Sequence, residues 1–143
     1  MFTAPKSDLI YSNNLTGVAA TGANLYFDNA NALYLYFNID ESVSLASLRI
    51  FITKNGAPVK VLKGTELAKD EKGYYYKTDA IAATDFDELY TATVYVDDLM
   101  ISTSVTYSVA SYVAANYSAA TELGALVQAL WNYGVAATAY AAA

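Results

Sequence analysis

The amino-acid sequence predicts a mainly β fold: an Ig-like antiparallel β-sandwich of about seven to nine strands with a C-terminal two-helix element packed on one sheet. Three observations predict it. Short runs of strict apolar–polar alternation recur up to Tyr107. Turn signals separate those runs at intervals of about 8–12 residues. After Ser108 the hydrophobic period changes from two to about 3.6. A length of 143 residues suits one domain, here 1–107 as the sandwich and 108–143 as a helical hairpin.

The clearest strand is Leu33–Ile39, where Leu33, Leu35, Phe37 and Ile39 share one face and Tyr34, Tyr36 and Asn38 the other. Ser47–Lys54 alternates again, with Leu48, Ile50 and Ile52 opposite Arg49, Phe51 and Thr53. Asn55-Gly56 follows, a hairpin signal because both residues accept positive φ. Val59, Val61 and Leu62 belong to the returning strand, with Pro58 at its start. A second hairpin runs from Leu89–Val96 through Asp97-Asp98 to Met100–Tyr107. Tyr74-Tyr75-Tyr76 opens another strand after a polar Lys69–Gly73 turn, and weaker strands are expected near Leu9–Tyr11, Thr16–Ala20 and Asn24–Phe27.

Beyond Ser108, a plausible N-cap, Val109, Tyr112, Val113 and Tyr117 recur at helical spacing. A second helix begins near Ser118 or Thr121. Its apolar stripe is Leu123, Leu126, Val127, Leu130, Gly134, Ala137 and Ala141, flanked by Trp131 and Tyr133. Gly134 within that stripe predicts a close backbone approach to the sheet. The opposite face, Ala125, Gln128, Asn132, Val135 and Ala139, carries no charge.

Composition narrows the function. Histidine and cysteine are both absent, which removes the commonest general base, the commonest metal ligand and all thiol chemistry. No cofactor is expected. Charge is segregated: residues 1–48 carry −3, 49–77 carry +4 and 78–143 carry −7, within a net −6. That balance argues against nucleic-acid binding. Gln128 and Asn132 interrupt the alanine-rich end, so membrane insertion is not expected either. Met1–Lys6 lacks the apolar region of a signal peptide, so export would place this chain inside a longer one.

The run Thr106-Tyr107-Ser108-Val109-Ala110-Ser111-Tyr112, followed by Leu126-Val127-Gln128-Ala129-Leu130-Trp131-Asn132-Tyr133-Gly134-Val135-Ala136-Ala137 and Tyr140, resembles a recurring module. That module lies near the ends of large secreted and cell-surface proteins of gut and rumen Gram-positive anaerobes. The resemblance covers roughly residues 89–140 and implies an extracellular, multimodular setting. It carries over no catalytic residue.

The expected role is therefore a non-catalytic structural or interaction module, a spacer or docking unit facing neighbouring domains or a protein partner. Its interface would be the uncharged helix face, Ala125, Gln128, Asn132, Val135 and Ala139. The alternative is a carbohydrate-binding module whose exposed tyrosines meet a polysaccharide. Tyr34, Tyr36 and Asn38 are the first candidates for it and Tyr74, Tyr75 and Tyr76 the second. The competing reading buries Tyr34 and Tyr36 beneath the helices and pairs the second cluster across strands. Trp131 borders an apolar stripe and is expected in the core. Asp85, Asp87 and Glu88 could form a calcium loop, but they lack EF-hand spacing, and acids in turns are ordinarily solvated. The same acids could serve a carboxylate-dependent glycoside hydrolase. A sandwich of this size leaves little material to build a cleft around them, so no enzyme is expected.

Overall fold

The computed structural model describes residues 2, 4–5, 10–26, 31–96, 102–118 and 122–142. Among the described residues nine strands precede two helices: β1 (Ile10–Asn13), β2 (Val18–Tyr26), β3 (Ala32–Ile39), β4 (Leu48–Lys54), β5 (Ala57–Lys63), β6 (Ala68–Asp70), β7 (Gly73–Lys77), β8 (Tyr90–Val96), β9 (Ser102–Tyr107), α1 (Val109–Asn116) and α2 (Glu122–Ala142). They form two antiparallel sheets, one in the order β1-β9-β8-β4-β5 and the other β2-β3-β7-β6.

The inward faces are those the alternation marks. Leu33, Leu35 and Phe37 from β3 meet Leu48, Ile50 and Ile52 from β4, Ala92 and Val94 from β8 and Val105 from β9 in one core. Each large aliphatic side chain buried there contributes roughly 1.5–3 kcal/mol relative to exposure. Thr103 stitches the two sheets together at one end. Its buried hydroxyl accepts from the Leu15 N–H and donates to the Val18 carbonyl.

Asn55 and Gly56 both adopt positive φ, 52° and 81°, and turn β4 into β5. Asn55 also binds Leu89 reciprocally, its Oδ1 accepting from the Leu89 N–H and its own N–H donating to the Leu89 carbonyl. This ties the hairpin tip to the start of β8. On β5 only Leu62, opposite the buried Ile50, is buried; Val59 and Val61 are exposed, Val61 opposite the exposed Phe51.

Two expected strands, Thr16–Ala20 and Asn24–Phe27, merge into β2. A register shift between Ala20 and Gly22 marks a bulge, which breaks the alternation while the ladder continues. The polar turn expected at Lys69–Gly73 is in part β6, a three-residue edge strand too short to show a period. The expected Asp97-Asp98 turn, Met100 and Ile101, and the outer ends of two weak strands, Leu9 and Phe27, lie outside the described residues.

The helices meet the β-part at its margin. Helix α1 is capped by the Ser108 hydroxyl, which accepts from the Ser111 N–H, and lies beside the edge strand β2. Helix α2 packs chiefly on α1 and on the 3₁₀ turn Ala83–Asp85, not across the tyrosine face of a sheet. Gly134 explains this seat. A Cβ there would overlap the Phe86 ring and lie 3.1 Å from the Ala83 carbonyl oxygen. The close approach predicted at Gly134 is thus to the β7–β8 connection instead of to a sheet. Val127 is fully buried, whereas Leu126, expected in the apolar stripe, is half exposed.

Candidate functional site

Two surfaces gather the residues singled out from the sequence. The first is the outer face of the β2-β3-β7-β6 sheet. Strand alternation puts Tyr34 and Tyr36 of β3 on it, and register sets Tyr36 opposite Tyr75 of β7. Tyr26 of β2 joins them. The Tyr34 ring lies 4.3 Å from Tyr26 and 4.8 Å from Tyr75, almost parallel to the latter at 17°. Lys77 caps the row with its ammonium 5.9 Å from the Tyr34 ring. Tyr34 thus stacks on Tyr75, meets the tilted Tyr26 ring at 56° and is half-buried.

Tyr36 sits deepest, 3% exposed. Its hydroxyl donates to Asp70 Oδ2 at 2.8 Å and lies 3.4 Å from the Tyr26 hydroxyl, which accepts from Lys72 Nζ at 3.3 Å. Lysine, two phenols and a carboxylate make one polar chain along the sheet surface. Burial, then the bonds to Tyr26 and Asp70, hold the Tyr36 phenol well above its ordinary pKa. Asn38 is exposed on the same face, further along β3. Tyr76 is in the core, and Tyr74 packs against the core from the same side of β7, with Lys69 Nζ 4.9 Å from its ring. The sequence candidates Tyr74 and Tyr76 are thus on the inward side, because alternation in β7 sends only Tyr75 outward. Tyr26 was not among the candidates. The signal that could have found it is Asn24-Leu25-Tyr26, with the buried Leu25 between two outward residues.

The second surface belongs to α2. Ala125, Asn132, Val135 and Ala139 are exposed, as the helical period predicts. Gln128 is not free for an interface: its Nε2 donates to the Tyr117 carbonyl at 2.8 Å and holds the two helices together. Val135 and Ala139 line a largely apolar groove of about 360 Å³ with Trp131, Gly134, Phe86 and Asp87. Trp131 therefore packs on the core and also presents a surface to this groove. Beyond the groove, Tyr133 and Tyr140 stand 66% and 85% exposed.

The acidic loop does not assemble a metal site. Asp85 pairs with Lys54 at 3.4 Å, and among the described residues no three carboxylates converge. Asp87 is exposed and is among the residues lining the groove. Among the described residues, no helix is long and apolar enough to cross a membrane. No protein-family profile, curated protein or solved structure matches the chain.

Proposed function

We propose that this protein is a non-catalytic docking module of an extracellular multimodular protein, and that it engages a protein partner through α2. The observation that carries the reading is the groove: exposed Val135 and Ala139 beside Trp131 and Phe86, on a 21-residue helix whose sole charge is Glu122. A solvated helix of that length ordinarily carries charge on its outer face, and an uncharged one with exposed apolar side chains marks an interaction surface.

The occupant is an apolar side chain on a partner segment that carries lysine or arginine beside it. Charge supports that choice. Residues 78–143 contain seven acids and no basic residue, and Asp87 borders the groove. The Ig-like assignment is supported by strand order. The sheets β2-β3-β7-β6 and β9-β8-β4-β5 follow the A-B-E-D and G-F-C-C′ arrangement of immunoglobulin sandwiches, with β1 added beside the last strand. The resemblance of residues 89–140 supports the exported setting.

Trp131 is the sole tryptophan, so its fluorescence reports directly on the groove. A short peptide with a leucine or phenylalanine flanked by lysines is expected to shift the Trp131 emission, and its glutamate-flanked counterpart to leave it unchanged. Val135→Asp should abolish the response. A lysine-flanked series without effect, or equal responses to both peptides, would refute the docking assignment.

A further inference from the structure

The bulge in β2 lies beside a notch whose lining includes no residue of α2. Thr21 is the extra residue, and the next pair in the ladder sets Gly22 opposite Tyr36. An aromatic residue across from a strand glycine ordinarily folds its ring over the missing side chain. Here it does not. A Cβ built on Gly22 meets nothing within 4 Å, while the Tyr36 hydroxyl is bound to Asp70. Backbone geometry does not require the glycine either, since positive φ occurs among the described glycines at Gly17, Gly56 and Gly73 but not at Gly22. What Gly22 supplies is space.

That space is a notch of about 380 Å³, bordered by Thr21, Gly22, Asn24 and Lys72 with Tyr36 among its lining. The volume falls within the range of small-ligand sites, roughly 300–1,000 Å³. Side chains close the strand at either end of it: Asn13 Oδ1 accepts from the Ala20 N–H and Asn24 Oδ1 from the Leu25 N–H. The lining combines part of an aromatic ring with a hydroxyl, an amide and one ammonium. A phosphate or sulfate would meet one lysine and the nearby Asp70 carboxylate, on a chain of net charge −6. A purely apolar ligand would leave the polar groups unmatched. A pyranose offers what this lining takes, hydroxyls around the rim of a partly apolar ring.

We propose that the notch at Gly22 is a saccharide-binding site for one sugar unit of a neutral glycan, with Lys72, Asn24 and Thr21 as the hydroxyl-recognising groups. The proposal is independent of the docking function of α2. Titration calorimetry of the whole chain with cellohexaose, xylohexaose, mannohexaose and maltohexaose tests it. At least one is expected to bind. Gly22→Leu, which fills open space without backbone strain, should weaken that binding by about tenfold or more while the melting temperature stays within a few degrees. Lys72→Met, on an exposed side chain, should weaken it by a smaller factor and serves as the second variant if Gly22→Leu folds poorly. No binding to any of the four at millimolar concentration overturns the proposal. So does a bound oligosaccharide whose affinity neither substitution changes, since it would then sit elsewhere.

Discussion

The tyrosine face of the β2-β3-β7-β6 sheet and the outer face of α2 look alike in composition, both rich in aromatic and apolar residues, yet they end in opposite states. On the sheet, strands about 4.8 Å apart place each tyrosine next to another one. Tyr34 is half-buried between Tyr26 and Tyr75, and Tyr36 is nearly buried with its hydroxyl bonded to Asp70. On the helix, no described strand packs over the outward side. Tyr133, Val135 and Tyr140 stay exposed among the described residues, Val135 at the groove beside Phe86. Aromatic content alone therefore does not mark a binding surface; the supply of neighbours does.

The largest effect that would test this contrast is expected at Tyr36. Replacing it with alanine removes a nearly buried ring and the Asp70 hydrogen bond, and should cost about 3 kcal/mol or more in urea denaturation. A loss below 1 kcal/mol would mean the ring is a surface feature after all. The same residue links stability to alkaline pH. Its folded pKa is raised, so its contribution is complete below the unfolded value of about 10 and is lost as pH climbs above that. Tyr76 and Tyr90, both raised first by burial, act in the same direction. Melting temperatures should therefore fall from pH 10 upward, and Tyr36→Phe should flatten the fall while lowering stability at neutral pH.

A middle-sized effect is expected at Gly134. Alanine there would gain about 1 kcal/mol of helix propensity but force its Cβ into Phe86 and close to the Ala83 carbonyl. Overpacking costs about 1–3 kcal/mol, so the net change should be destabilising by roughly 1 kcal/mol, with Trp131 fluorescence altered as α2 shifts. A stabilised Gly134→Ala protein would show that the helix seat is looser than the geometry implies. The smallest effect belongs to the exposed face. Tyr133→Ser and Tyr140→Ser should change stability by less than about 0.5 kcal/mol. A large loss from either would place these rings in contacts that their exposure does not suggest.

Several parts of this molecule are legible along the chain. The expected strands Leu33–Ile39 and Ser47–Lys54 become, within one residue, β3 and β4 with the expected faces inward, because period-two alternation is a direct record of which side meets the core. Asn55-Gly56 turns as expected, and Ser108 caps α1. Less visible were β6, hidden in a polar stretch, and the continuity of β2, interrupted by its bulge. The notch could not be read in advance for a related reason. It depends on a glycine and a tyrosine 14 positions apart meeting in register while the ring turns elsewhere.

What the sequence determined by itself is therefore local: strand faces, turn chemistry, the helix cap and the absence of histidine and cysteine. Each follows from the stereochemistry of a few consecutive residues or from composition. The tertiary structure alone decided which tyrosines are covered, that α2 sits on the Ala83–Phe86 segment, that Gln128 binds α1 and that Gly22 faces open space. Those outcomes rest on contacts between residues far apart in the chain, whose geometry is set only when sheets and helices pack together.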